Sequence, residues 1–310
     1  MGCQLYQMGN LMDKGMKKAY LFPGQGSQKT GMGIDHYRFH PDFKKRCDQA
    51  DEILGITLTD IMFNGPEETL TKTRYTQPAL FLHSYALFEI LGQKPDVVAG
   101  HSLGEYTALT ASGALDFEDA LKAVGRRGEL MQQAAEEQPG TMAAVIGLED
   151  STVEDICSEH SSESGQIVVP ANYNTRGQLV ISGNVNAVEA AMEKMKAAGA
   201  KIVKKLPVSG GFHSTLMEPA RKELDKTIDS LRFSQPGAVV YSNVTGTGSL
   251  DPDVLKENLK KQLLHPVRWT QTLENMYQDG VRHFIETGSG NVLQGLVKRT
   301  LTSVEISGFN

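Results

Sequence analysis

Several segments of the chain share one order of apolar and polar positions: a short apolar run, then glycine or small residues, then apolar residues at helical spacing. The run KAYLFPGQG ends in such a turn, and PDVVAGHSLGEYTALTASGAL and VRHFIETGSGNVLQGLVKR continue through the turn into a helical pattern. This arrangement is typical of parallel strands connected by helices. Ligands usually bind beyond the carboxyl ends of such strands, so we expect the functional residues in these turns.

Residues 138–208 follow a different pattern, with segments in the order strand, helix, strand, strand, helix, strand. That order is typical of a ferredoxin-like unit. Turn-forming residues interrupt the pattern at both ends, QPG at 138–140 and SGG at 209–211. We therefore predict an α/β protein in which residues 16–137 and 209–310 form a large domain with a parallel sheet. The inserted small domain is 138–208, with a cleft between the two.

The composition of the 310-residue chain narrows the function classes. With 40% apolar residues the chain can bury a full core. Its net charge is -6, whereas nucleic-acid-binding proteins usually carry an excess of basic residues. The three cysteines are widely spaced, which indicates neither a disulfide framework nor a C-x-x-C metal site. No apolar run is long enough to cross a bilayer, and the first residues lack a signal-peptide pattern. We expect a cytoplasmic protein that does not bind membranes, in which residues 1–15 are an extension contributing little to the fold.

The strongest chemical signal is GHSLG at 100–104, a G-x-S-x-G motif between the apolar run DVVA and a helical segment. This is the context of a nucleophile elbow, whose glycines allow a sharp turn that exposes the serine hydroxyl. The backbone N–H of Leu103 would then face the carbonyl oxygen under attack. Ser102 and Glu105 also match the S-x-x-E pattern of a helix capping box, but a capping serine does not need flanking glycines. We interpret Ser102 as the nucleophile of an α/β-hydrolase-like domain, and His101 as structural.

A serine hydroxyl attacks poorly without a base, and one of the eight histidines should supply it. His213 lies in a turn of small residues ahead of an amphipathic segment, where the helix dipole disfavours protonation of the imidazole. His83 lies inside an apolar helical run and is better explained as a packing residue. We find no aspartate that marks a third triad member, since Asp116 and Asp119 are explained as solvated helix or turn residues. A backbone carbonyl could orient the imidazole instead, so the sequence is compatible with a Ser-His dyad.

With these residues identified, the chain resembles the malonyl-CoA:acyl carrier protein transacylases of fatty acid synthesis and the related acyltransferase domains of polyketide synthases. The resemblance spans roughly residues 17 to 300 and rests on ordered motifs, so that coincidence is implausible. The motifs are FPGQGSQ at 22–28, TQPAL at 76–80, GHSLGE at 100–105, GRRGELMQ at 125–132, ANYNTRGQLVISG at 171–183, GFHS at 211–214, HPVRW at 265–269 and ETGSGNVL at 286–293.

The resemblance implies a catalytic role for five positions. Ser102 corresponds to the acylated nucleophile and His213 to its base. Gln25 and Leu103 correspond to the residues whose backbone N–H groups form the oxyanion hole. Gln262 corresponds to the residue whose backbone carbonyl orients the histidine, so a dyad has a precedent in the family.

The resemblance also implies how the acyl group is selected. Arg127 corresponds to the group that holds the free carboxylate of malonate, which suits a guanidinium because it offers two parallel donors and stays charged. Asn174 and Gln77 correspond to polar residues lining the same pocket. Phe212 is a departure, because several relatives in fatty acid synthesis have a small or polar residue there. In polyketide acyltransferases a Phe-His pair is associated with malonyl rather than methylmalonyl units, so Phe212 favours malonyl.

The implied activity is malonyl transfer from malonyl-CoA to the phosphopantetheine thiol of acyl carrier protein, by a ping-pong sequence in fatty acid synthesis. We expect a monomer that needs no metal and no cofactor, the CoA thioester being a substrate. Candidate residues for docking the acidic carrier protein are Lys204, Lys205, Lys260 and Lys261. Two alternatives stay open: an esterase or thioesterase, which shares the acyl-serine step but uses water, and a noncatalytic subunit that docks carrier proteins. The intact catalytic positions argue against the second.

Overall fold

A computed structural model describes residues 16–310 of the chain. The expectation that residues 1–15 form an extension falls outside the described residues. In the part that is described, the strands are divided between a six-stranded and a four-stranded sheet. No helix of this part is both long enough and apolar enough to cross a membrane.

The strands and helices follow the apolar runs and helical patterns of the sequence. The strands are β1 Lys17–Phe22, β2 Val97–Gly100, β3 Gly140–Ile146, β4 Val168–Thr175, β5 Gln178–Asn184, β6 Ile202–Lys205, β7 Val239–Tyr241, β8 Gly248–Ser249, β9 Val281–Thr287 and β10 Glu305–Phe309. The helices are α1 Ile34–Phe39, α2 Pro41–Leu54, α3 Leu58–Asn64, α4 Glu67–Leu70, α5 Thr73–Leu91, α6 Gly104–Ala111, α7 Phe117–Glu137, α8 Asp150–Ser164, α9 Val185–Ala197, α10 Glu218–Ser230, α11 Pro252–Gln262, α12 Trp269–Gln278 and α13 Val292–Thr300.

The six-stranded sheet has the strand order β10-β9-β1-β2-β7-β8. Its first five strands pair in parallel, and the short β8 joins the edge antiparallel. Alternate residues of β1 enter two different hydrophobic clusters, since Tyr20 and Phe22 belong to one and Ala19 and Leu21 to the other. A strand buried on both faces needs helices on both sides of its sheet. The predicted α/β fold with a parallel sheet is therefore confirmed.

The four-stranded sheet is antiparallel and has the order β4-β5-β3-β6. Together with two helices, its strands occur along the chain in the order strand, helix, strand, strand, helix, strand, and all six elements lie within 138–208. Helices α8 and α9 pack on one face, where Val153 and Ala191 share a buried cluster with strand residues such as Ile181. The element order predicted from the sequence is the one observed.

Hydrogen bonds connect β4 of the four-stranded sheet to the loop before α12 and to the turn that follows β2. The N–H of Tyr173 in β4 donates to the carbonyl of Val267 at 2.9 Å, and the N–H of Val267 donates to the carbonyl of Ala171 at 2.9 Å. His101, directly after β2, lies with its Nε2 2.8 Å from the Oδ1 of Asn174 in β4. These contacts place one edge of the small sheet beside the carboxyl ends of β1 and β2.

Candidate active site

The turn from β2 into α6 is a nucleophile elbow in its geometry. Ser102 occupies the left-handed backbone region, with φ 52°, which is uncommon for a residue with a side chain. A Cβ added to Gly100 would lie 1.8 Å from the carbonyl carbon of Gly104, and one added to Gly104 would lie 2.1 Å from the carbonyl oxygen of Phe22. The turn can close against β1 only because both flanking positions are glycine.

The capping-box alternative for Ser102 is wrong. The N-terminus of α6 receives no side-chain capping hydrogen bond. The Oγ of Ser102 lies instead 2.8 Å from the Nε2 of His213. Glu105 does not turn back to the start of the helix, but points into the protein interior and is 1% exposed.

His213 is held by two backbone carbonyls. Its Nδ1 lies 3.0 Å from the carbonyl oxygen of Gln262 and 3.1 Å from that of His265. Because a carbonyl oxygen only accepts, the Nδ1 carries the hydrogen and the Nε2 lone pair faces Ser102. Burial, to which the charge of Arg127 adds, lowers the pKa of His213 to about 3. The imidazole is therefore neutral and able to accept a proton, with burial rather than the helix dipole as the main cause.

Arg127 projects from α7 and is 1% exposed. Its Nη1 donates to the Oε1 of Gln77 in α5 at 2.7 Å. Its Nη2 donates to the Oγ of Ser102 at 3.2 Å and to the Oε1 of Gln262 at 3.0 Å. Burial lowers the pKa of Arg127, but a guanidinium stays charged in proteins. A positive charge is thus fixed within hydrogen-bond distance of the serine oxygen.

Gln262, at the end of α11, contacts Ser102, His213 and Arg127. Besides its contacts with His213 and Arg127, its Nε2 donates to the carbonyl oxygen of Ser102 at 2.8 Å and to the Oε2 of Glu105 at 2.8 Å. The family resemblance implied only the backbone role of Gln262. Its side-chain role was not predicted.

Asn243 also supports the elbow. Its Oδ1 accepts from the backbone N–H of Ser102 at 2.7 Å, and its Nδ2 donates to the carbonyl of Gly100 at 2.7 Å. No local motif marks Asn243. It lies just after β7, the strand that pairs in parallel with β2. The expectation that functional residues follow parallel strands is the one signal that could have found it.

A cavity of about 110 Å³ lies in front of Ser102. Its lining includes seven of the predicted site residues, and also His101, Asn172 and several apolar side chains. The predicted residues are Gln25, Gln77, Ser102, Leu103, Arg127, Phe212 and His213. Within residues 16–310, no three His, Cys, Asp or Glu side chains are grouped so that they could hold a metal ion.

Asn174 differs from the expectation that it lines the same pocket. It borders a neighbouring cavity of about 230 Å³ and is bonded to His101, while Asn172 borders both cavities. Asn172 and Asn174 are two residues apart in β4, so their side chains point to the same face of the sheet but lie at different places along the strand. The motif located this segment, but it did not indicate which of its two asparagines lies nearer to Ser102.

Comparisons with known proteins agree with this fold. A family model described as "Acyl transferase domain" matches residues 19–308. The chain belongs to the acyl transferase family, and it is an acyltransferase. Its resemblance to malonyl-CoA:acyl carrier protein transacylases, inferred above from eight motifs, is confirmed.

Two relatives and two solved structures illustrate this similarity. The malonyl CoA-acyl carrier protein transacylase of Escherichia coli K12 is 42% identical over 94% of this chain and 95% of that protein. That of Bacillus subtilis 168 is 43% identical over 94% and 93%. An acyl carrier protein S-malonyltransferase from Vibrio cholerae has a TM-score of 0.90 at 44% identity, covering 95% of this chain and 97% of that chain. A malonyl-transacylase in complex with its type II PKS acyl-carrier protein has a TM-score of 0.90 at 40% identity, covering 94% of each chain.

The low pKa of His213 predicts a pH effect on stability. Between about pH 6.5 and the pKa of about 3, the unfolded chain binds a proton at this residue that the folded chain excludes. The free energy of unfolding should therefore fall as the pH is lowered through this range, and less steeply in His213→Gln. Urea unfolding at about pH 7 and about pH 5 measures the difference. The exposed His40→Gln is the control, and equal slopes for wild type and His213→Gln would contradict the assignment.

Proposed function

We propose that this chain transfers malonyl from malonyl-CoA to the phosphopantetheine thiol of an acyl carrier protein, through an ester on Ser102. One observation supports the proposal most strongly. The Oγ of Ser102 lies 2.8 Å from a neutral imidazole and 3.2 Å from a buried guanidinium. A serine with a base on one side and a carboxylate-binding cation on the other suits a short acyl group that carries its own carboxylate.

In the first half-reaction, the Nε2 of His213 takes the proton of Ser102 as the Oγ attacks the thioester carbonyl. The backbone N–H groups of Gln25 and Leu103 stabilise the negative oxygen of the tetrahedral intermediate. Collapse of the intermediate breaks the carbon–sulfur bond, and coenzyme A leaves as a thiol with the proton from His213. A malonyl ester remains on Ser102.

In the second half-reaction, the thiol of the carrier protein takes the place of coenzyme A. His213 removes its proton, and the sulfur attacks the ester carbonyl. The carbon–oxygen bond breaks, and Ser102 recovers the proton from His213. Because these steps need only the dyad and backbone N–H groups, the proposal includes no metal and no redox cofactor.

Selection of malonyl follows from the electrostatics of the cavity. Arg127 is a buried cation whose terminal nitrogens contact neutral groups, those of Gln77, Gln262 and Ser102. A buried cation gains most from an anionic partner, and a malonyl carboxylate supplies one. Phe212, 5% exposed, lies on the cavity wall and limits the room for an α-methyl group.

The proposed acceptor is a carrier protein, because relatives are named for that activity and one was solved with its acyl-carrier protein. Two of the four lysines suggested for docking are already paired, Lys205 with Glu189 and Lys260 with Asp229. The exposed Lys204 and Lys261 are the better candidates for an acidic partner. We further propose that the protein acts in fatty acid synthesis, as a monomer in the cytoplasm.

The first test of this function is formation of the covalent intermediate. Incubation with malonyl-CoA should add one malonyl group to the wild-type protein and none to Ser102→Ala, because the alanine has no nucleophilic oxygen. Intact-mass spectrometry measures the adduct, and adding holo acyl carrier protein should move the malonyl group to the carrier.

The outcomes separate the proposed function from its alternatives. Rapid release of free malonate without labelling of the carrier would identify a thioesterase. Binding of the carrier without any acylation of Ser102 would identify a noncatalytic docking subunit. Either result would refute the proposal.

The second test concerns Arg127. Arg127→Ala should lower kcat/KM for malonyl transfer by roughly 100-fold, since charge-assisted hydrogen bonds worth about 3 kcal/mol are lost. Acetyl transfer should change far less, because acetyl has no carboxylate to bind. Initial rates with both thioesters measure the difference. Arg126→Ala is the matched control, since that neighbouring arginine faces outward to Glu129. Equal losses for both acyl groups would exclude Arg127 from acyl selection.

A further inference from the structure

The side-chain amide of Gln262 lies between the buried ionic groups Arg127 and Glu105. Its oxygen accepts from the Nη2 of Arg127 at 3.0 Å, and its nitrogen donates to the Oε2 of Glu105 and to the carbonyl of Ser102, both at 2.8 Å. Gln262 and Glu105 are each 1% exposed. The amide is therefore fully used, with one contact for its oxygen and one for each of its two hydrogens.

The orientation of this amide decides whether Arg127 faces an acceptor oxygen or a donor NH2 group. If the amide turned by half a rotation, its NH2 group would face the guanidinium and its oxygen would face the Ser102 carbonyl. Both contacts would then be repulsive, since each would pair two donors or two acceptors. The observed orientation is thus a requirement for holding Arg127 beside Ser102.

Glu105 adds a third contact that favours the observed orientation of the Gln262 amide. An ionised carboxylate only accepts, so it can face the amide nitrogen of Gln262 but not the amide oxygen. The same Oε2 accepts from the backbone N–H of Asn243 at 3.3 Å, and Asn243 in turn holds the N–H of Ser102. Glu105 therefore joins two residues that reach the elbow from distant parts of the chain.

We propose that Glu105 is a positioning residue for acyl selection, which fixes the Gln262 amide so that its oxygen holds Arg127 ready for a substrate carboxylate. Glu105 does not touch the acyl group. It acts through Gln262, and its effect should be largest for acyl groups that use Arg127. This inference rests on the proposed malonyl transfer.

The ionisation of Glu105 gives the proposal a signature in pH. Burial, opposed by the hydrogen bond from Gln262, raises the pKa of Glu105 to about 7. The ionisable groups acting on it are Arg127 from α7, which stays charged, and Tyr106 from its own helix, whose pKa burial raises above its usual value. His213, which shares Ser102 with this network, has a pKa of about 3. Glu105 is thus the member of this group that titrates near neutrality.

The sign of the pH effect follows from the raised pKa. Above about pH 7 the carboxylate accepts from Gln262, and below it the carboxyl group gains a hydrogen that lets it donate as well. The preference of the wild type for malonyl over acetyl should therefore decline as the pH is lowered through about 7. Taking the ratio of the two activities cancels effects on Ser102 and His213 that both reactions share.

The variant test is Glu105→Gln, which keeps the shape of the side chain but can donate as well as accept. We expect KM for malonyl-CoA to rise about tenfold, with a smaller change in kcat, and acetyl transfer to fall several times less than malonyl transfer. Its malonyl-to-acetyl ratio should be low and independent of pH. Steady-state rates with both thioesters, at about pH 6 and about pH 8, measure these effects.

Glu286→Gln is the matched control. Glu286 is also 1% exposed, and its oxygens accept from the N–H groups of Leu293 and Gln294 at 3.0 Å, outside the cavity in front of Ser102. That variant should keep the wild-type ratio and its pH dependence. It therefore separates the specific effect of Glu105 from the general cost of altering a buried carboxylate.

Two results would overturn the proposal: equal losses of malonyl and acetyl transfer in Glu105→Gln, or a wild-type ratio that does not change with pH. The second measurement needs no variant, so it decides the question even if Glu105→Gln does not fold. Failure of the underlying function is distinguishable, because the wild type would then form no malonyl ester on Ser102.

Discussion

The close approach of the elbow to β1 and β2 is the constraint on which the site depends. Ser102 keeps a left-handed backbone only because Gly100 and Gly104 let the turn and the start of α6 pack within contact of the strand ends. This conformation directs the hydroxyl out of the sheet edge, towards His213. A bulkier turn would separate Ser102 from His213 while leaving the sheet unchanged.

In the proposed Ser-His dyad, Gln262 takes the place that an acidic residue has in a catalytic triad. The backbone carbonyl of Gln262 fixes the tautomer of His213, and its side-chain oxygen holds Arg127. A carboxylate beside the imidazole would favour its protonation, whereas a neutral carbonyl leaves it uncharged. The one buried carboxylate of this network, Glu105, is separated from the histidine by Gln262 and Ser102. The arrangement keeps a neutral base and a cation close to the same serine oxygen.

Much of the fold was predictable, because its signals are local. Apolar runs followed by glycine and a helical pattern identify β1, β2 and β9, and the elbow motif identifies Ser102 together with the turn that it needs. The network behind the serine was not predictable in the same way. Asn243 lies 141 residues from Ser102 in sequence, and Gln262 lies 160 residues from it. Glu105 was visible as part of a capping pattern and of the GHSLGE motif, but neither assigned it a contact. The sequence does not show which residues surround a helical side chain in the fold.

A crystal structure of the protein after reaction with malonyl-CoA, with the ester retained on Ser102, would show directly how the acyl group is held. We expect the malonyl carboxylate in contact with the guanidinium of Arg127. We also expect the ester carbonyl oxygen to face the backbone N–H groups of Gln25 and Leu103. A carboxylate directed away from Arg127 into the neighbouring cavity, or an ester on another residue, would contradict this expectation.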